Sequence, residues 1–202
     1  MRLELQQFLT DTYLQVIEGQ FLDFRLADAR LEEASEEAYY EMIRRKSAVL
    51  VGATAKSASI LGGSTPEEQE LLWRYGVALG MAYQIYDDII SIWGSEAASG
   101  KTPYKDIVEK KKTLPVVYAW RGGSSEVRAD LARAYAAEFP IGAQDATKII
   151  GHLDAAHAYE YVWGKVEEFA EQAKKAASGL KLSDKTKEVL IAIVDALLVP
   201  VR

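Results

Sequence analysis

Gln84, Asp87, Asp88 and Ser91 stand at i, i+3, i+4 and i+7 in GMAYQIYDDIIS. If Gln69 to Trp93 is a helix, all four side chains share one face. Two adjacent carboxylates repel when buried and ionised, so Asp87 and Asp88 need cations, exposure or protonation. Mg²⁺ satisfies them, because it takes one or two protein carboxylates, keeps several waters and completes its shell with phosphate oxygens. A diphosphate bridged in this way is both held and made a better leaving group. The alternative is a solvated face or pairing with lysines. Gly76 and Gly80 continue the same face at four-residue steps. Each glycine inside a helix costs about 1 kcal/mol relative to alanine, so the two keep room for a ligand or for a close neighbouring helix.

Lys101 and Lys111, with Lys46 on another helix, could supply the positive charge a diphosphate needs, as flexible three-donor ammonium groups. Lysines 110 to 112 taken alone read as a solvated face, whereas Lys101 follows Gly100 in a loop facing the aspartates. Gln20 and Asp23 are polar residues on an otherwise apolar stripe and require partners if buried. They are either functional or an internal hydrogen-bonded pair that fixes helix packing. His152 and His157 have no ligand spacing and read as structural or exposed, and the four tryptophans as core or interface anchors.

These side chains need a scaffold, and the sequence implies an all-α one. Apolar periodicity stays close to 3.6 and alternating β-branched runs are missing. With 202 residues, 49% hydrophobic and 27% charged, the chain has the size of one domain, residues 1–202. It has no cysteine, which excludes a disulfide framework and thiol catalysis. No apolar run reaches the roughly 20 residues of a membrane span, and no basic, apolar leader opens the chain, so a cytoplasmic location is expected. A net charge of −6 disfavours nonspecific nucleic-acid binding, yet local lysines and a divalent cation permit anionic substrates.

The first helix is expected over about Arg2 to Phe24, with Leu9, Tyr13, Val16, Gln20 and Asp23 on one stripe. A second starts near Ser35, its cap, and runs to Gly62 or Gly63. Thr65, Pro66 and two glutamates start the third, which ends at Trp93-Gly94. A fourth begins at Thr102-Pro103, with Pro115 kinking or ending it. Further helices are expected near Glu126 to Glu138, Gln144 to Leu153, Ala155 to Ser178 and Asp184 to Val199. Short loops favour a packed bundle over a solenoid.

The motifs resemble those of the trans-isoprenyl diphosphate synthases, or polyprenyl synthetases. Gly19, Gln20 and Asp23 in GQFLDF resemble the family's glycine-glutamine segment. YYEMIRRKSAVL resembles its lysine-threonine helix, with Lys46 in place and Ser47 replacing threonine. GMAYQIYDDIIS resembles the second aspartate-rich motif, with Ser91 where a third aspartate is usual. SGKTPYKDIVEKKKTLP resembles the following segment, with Lys101, Asp106 and Lys111 at matching positions.

The resemblance implies an all-α helical bundle of the isoprenoid synthase type that forms a homodimer. Mg²⁺ held by Asp87 and Asp88 would meet an allylic diphosphate, whose cation isopentenyl diphosphate then attacks, with loss of a proton. Lys46, Gln84 and Lys101 would steady the departing diphosphate, and Gln20, Asp23, Ser47 and Lys111 would complete the substrate contacts. Family members also carry a first aspartate-rich motif upstream of the glycine-glutamine segment. No DDxxD occurs in these 202 residues. The resemblance thus covers the C-terminal portion, a bundle incomplete at its N-terminal side, with an uncovered apolar face and full activity dependent on elements supplied elsewhere. The rival readings are a non-catalytic subunit that joins a complete synthase in a hetero-oligomer, and a class I terpene cyclase, which the loss of the third aspartate keeps open.

Overall fold

The computed structural model describes residues 2–94, 104–137 and 139–201, and among them there is no strand. Helix α1 spans Arg2–Asp28, α2 Glu36–Ile43, α3 Val49–Leu61 and α4 Pro66–Trp93. A short α5 at Lys105–Val108 is followed by α6, Leu114–Gly122, α7, Ser125–Ala136, and α8, Ala143–Ala155. Helices α9, Ala158–Ser178, and α10, Asp184–Leu197, complete the described chain. Between α2 and α3 the helix widens into a π turn at Arg44–Ala48.

The boundaries follow local chemistry. The Ser35 hydroxyl accepts the Ala38 amide at 3.1 Å and opens α2. Thr65 and Glu68 form reciprocal bonds at the start of α4, the Thr65 amide donating to Glu68 at 2.9 Å and the Glu68 amide to the Thr65 hydroxyl at 3.4 Å. Gly63, at φ 74°, ends α3 in the left-handed region that glycine adopts at no steric cost. Pro115 differs from expectation: it lies in the first turn of α6, after an extended Thr113, and starts a helix rather than kinking or ending one. In that turn its missing N–H has no intrahelical partner to lose and its fixed φ suits helix entry.

The residues group into two compact units. The first comprises Met1–Asp23, Tyr40–Gln84 and Lys165–Pro200. Here α3 and α4 approach almost backbone to backbone: a Cβ on Gly76 would lie 2.6 Å from the Gly52 Cα, and one on Gly80 2.7 Å from the Ala48 Cα. The two glycines therefore serve a neighbouring helix and leave no ligand space. The Tyr75 hydroxyl ties α4 to the Leu190 carbonyl of α10 at 2.9 Å. Tyr13, expected on the inward stripe of α1, is 60% exposed, while Thr12 beside it is buried.

The second unit comprises Phe24–Tyr39, Ile85–Gly164 and Val201–Arg202. Its core is built on Leu31, Ile92, Ile107, Val116, Leu131 and Ile149. Within it, buried Asp130 ties α7 to α8, accepting from Lys148 at 2.6 Å and bonding His152 at 2.8 Å, with Arg133 at 2.7 Å. These hydrogen bonds hold its carboxyl at about 2. His157 is well exposed, so both histidines are structural or exposed as expected.

Candidate functional site

In the first unit the glycine-glutamine segment and the lysine-serine pair meet directly. Gly19 is buried against the π turn, where any side chain would overlap the Lys46 backbone. That close approach lets the Lys46 ammonium reach Asp23 Oδ2 at 2.6 Å, while the Gln20 amide donates to the same oxygen at 3.2 Å. The Lys46 and Asp23 side chains are each about one-third exposed, at 36% and 34%, so their pairing is solvated. Ser47 Oγ donates to Gln84 Oε1 at 2.9 Å. Such π turns recur at functional sites, because the wide turn changes the direction of the side chains it carries.

In the second unit Asp88 is buried and accepts a hydrogen bond at Oδ2 from the Tyr39 hydroxyl at 2.6 Å, while Asp87 is half-buried. Buried Ser91 Oγ accepts the backbone amide of Asp106 at 3.3 Å. The Asp106 carboxylate in turn takes the Lys111 ammonium at 2.6 Å. Burial by itself would lower the Lys111 pKa, but the hydrogen bond and charge of Asp106, helped by Glu109 and Asp88, more than offset it and hold the amine above its ordinary value. Serine at position 91 thus anchors the chain that follows α4.

Of lysines 110 to 112, Lys111 stays exposed as expected, whereas Lys112 departs from the solvated face. Lys111 is engaged with Asp106, and Lys112 is buried with its ammonium on the Ala27 carbonyl. Burial pushes the Lys112 pKa down. Lys110 adopts φ 56° and donates to the Ala137 carbonyl. The three lysines and Arg30 line a cavity of about 560 Å³. Lys101 lies outside the described residues.

Gln84 and the aspartates belong to one continuous helix, α4, which sets Gln84 one turn before Asp87 and Asp88. Among the described residues no group of three or more His, Cys, Asp or Glu side chains could hold a metal. A pair of carboxylates nevertheless fits Mg²⁺, which takes few protein ligands when phosphate oxygens and water supply the rest. Sequence reasoning does not reach Tyr39, nor the anchoring part that Asp106 plays. Tyr39 and Asp88 stand 49 positions apart, and only packing joins them. The one local signal is the placement of Tyr39 two helical turns before Lys46.

Comparison with known proteins places this helical architecture in the isoprenoid synthase fold. A decaprenyl diphosphate synthase from Rhodobacter capsulatus superposes with a TM-score of 0.86 at 26% identity, over 99% of this chain and 60% of that one. A geranylgeranyl pyrophosphate synthase gives a TM-score of 0.89 at 25% identity, over 96% of this chain and 60% of that one. Among curated proteins, the short chain isoprenyl diphosphate synthase of Methanothermobacter thermautotrophicus is 33% identical over 193 residues, 94% of this chain and 57% of the relative. The polyprenyl synthetase family model matches residues 1–151. The chain belongs to the polyprenyl synthetase family and spans somewhat more than half the length of these relatives.

Proposed function

We propose that these 202 residues are the C-terminal part of an isoprenoid-synthase-type domain that condenses an allylic diphosphate with isopentenyl diphosphate. Asp87 and Asp88 would hold Mg²⁺, which would supply the positive charge that neutralises a diphosphate. Lys46, Gln84 and Lys101 steady the departing diphosphate, and Gln20, Asp23, Ser47 and Lys111 set the surrounding contacts. Full activity requires a first aspartate motif, which this sequence does not contain. The observation that carries the reading is α4, whose single run Pro66–Trp93 presents Gln84, Asp87 and Asp88 within two turns. The Lys46–Asp23 and Ser47–Gln84 pairs give two of the proposed diphosphate contacts a defined starting geometry.

The test combines Mg²⁺, isopentenyl diphosphate and allylic diphosphates of increasing length, with and without the N-terminal half of a synthase, and identifies products by mass spectrometry. A longer prenyl diphosphate supports the reading, whereas a hydrocarbon replaces it with a cyclase. Pyrophosphate titration supplies a check independent of turnover. Binding should depend on Mg²⁺ and disappear in Asp87→Ala and Asp88→Ala; unchanged binding in both would return the pair to a structural role. A second reading is a non-catalytic subunit in a hetero-oligomer. It is favoured by Ser91, whose hydroxyl is spent on the Asp106 amide where the family motif has a third carboxylate. That reading predicts a stable complex with a complete synthase and no turnover by this chain.

A further inference from the structure

We propose that Tyr39 is a positioning residue whose phenol fixes the Asp88 carboxylate for its cation, an inference that rests on the reading of Asp88 as a metal-holding group. A carboxylate turns in a broad, roughly two-fold torsional well, so the helix backbone alone does not fix where its oxygens point. The Tyr39 hydroxyl holds Oδ2 at 2.6 Å, which sets the plane of the group and hence the direction of Oδ1. The donor itself is enclosed by packing, with Tyr39 only 1% exposed. It is also neutral. An ammonium in its place would offset the negative charge that a divalent cation seeks, whereas a phenol orients the carboxylate and leaves its charge in place.

The support under Tyr39 is equally fixed. Its amide bonds the Ser35 carbonyl at 3.0 Å in the first turn of α2. Arg121 of α6 donates to the Ala34 carbonyl at 2.9 Å, and Tyr161 of α9 donates to Glu36 at 2.8 Å. Two other segments of the same unit, at Arg121 and Tyr161, thus hold the start of the helix that aims the phenol. Packing of this kind around a site gives the precision that a lone side chain lacks.

The test is Tyr39→Phe, which keeps the ring and removes only the donor. Mn²⁺ affinity in the presence of pyrophosphate, read from the free-ion electron paramagnetic resonance signal, should fall roughly tenfold or more, as expected when a hydrogen bond to a charged group is lost. Tyr75→Phe, which removes a buried hydroxyl bond to the Leu190 carbonyl and leaves the Tyr39 bond and its support, should change it little. Asp88→Asn separates the two levels of the argument. If Asp88→Asn leaves Mn²⁺ binding intact, the metal reading itself fails. If Asp88→Asn abolishes binding while Tyr39→Phe retains it, the positioning role alone is overturned. Equal losses in Tyr39→Phe and Tyr75→Phe would assign a general structural role and overturn it too. Should Tyr39→Phe not fold, fluorotyrosine at position 39 keeps the donor. Its fluorine resonance should move on adding Mg²⁺ with pyrophosphate, and no movement would overturn the proposal.

Discussion

Lys110 shows how the loop before α6 differs from a solvated run of charge. It is a lysine at φ 56°, in the left-handed region where a Cβ crowds the following carbonyl. Lys110→Gly should therefore raise stability by about 1 kcal/mol relative to Lys110→Ala, which loses the amine but keeps the strain. Paired urea titrations measure that difference, and equal midpoints would show that the turn carries no strain. The aspartate pair and Gln84 can be named from the sequence because helical spacing sets their relation, whereas Ser47 enters only through the family resemblance. Tyr39 with Asp88 and Asp106 with Ser91 cannot be named in this way, because each contact crosses between segments whose register only packing fixes. Lys112 departs from expectation for a related reason: charge in a sequence says nothing about the carbonyl of Ala27 that receives it.

Between elements, glycine has two opposite meanings. A Cβ at Gly76 would press on the α3 backbone, and the clash can be relieved only by separating two helices. Gly76→Ala is expected to cost about 1–3 kcal/mol, the range for overpacking a tight contact. A side-chain carbon added at Gly151 in α8 or Gly164 in α9 would meet nothing within 4 Å, so alanine at either should stabilise by up to about 1 kcal/mol. Thermal melts of the three variants test the contrast. The sequence leaves the purpose of Gly76 open because helical position alone cannot distinguish a ligand from a neighbour.

The junction of α7 and α8 should be acid-sensitive. Folding lowers the Asp130 pKa from 3.8 to about 2, so the native state binds fewer protons than the unfolded one between those values. Its contribution is present above about pH 4 and is lost as the pH falls towards about 2. Unfolding midpoints should drop less over that window in Asp130→Asn than in the parent, and parallel pH profiles would contradict this. The helices themselves are well anticipated, because serine, threonine and glycine at their ends act locally. Pro115 is the exception, since its effect depends on whether a helix precedes or follows it.

At the scale of the whole molecule, α1 carries an exposed apolar surface. Leu14, Ile17, Phe21 and Phe24 recur along this helix and are 54%, 65%, 61% and 62% exposed. An apolar run of this kind suits burial against a protein partner. Ile17→Glu with Phe21→Glu should shift the chain to a smaller species in light scattering; an unchanged mass would place the association elsewhere. Among the described residues no helix is long and apolar enough to cross a membrane. The all-α architecture can be anticipated from periodicity, but the grouping into two units cannot, because chain order does not reveal which distant helices share a core. The π turn at Arg44–Ala48 has a consequence for insertions and deletions. Its ladder encloses one residue more than an α-helical turn, so deleting Arg44 would let an ordinary helix close. The fold would tolerate that change better than the site would, since one residue subtends about 100° and Lys46 would face another way. Helix content should survive while pyrophosphate binding is lost, which makes the spacing of the chain here as specific a requirement as the lysine it carries.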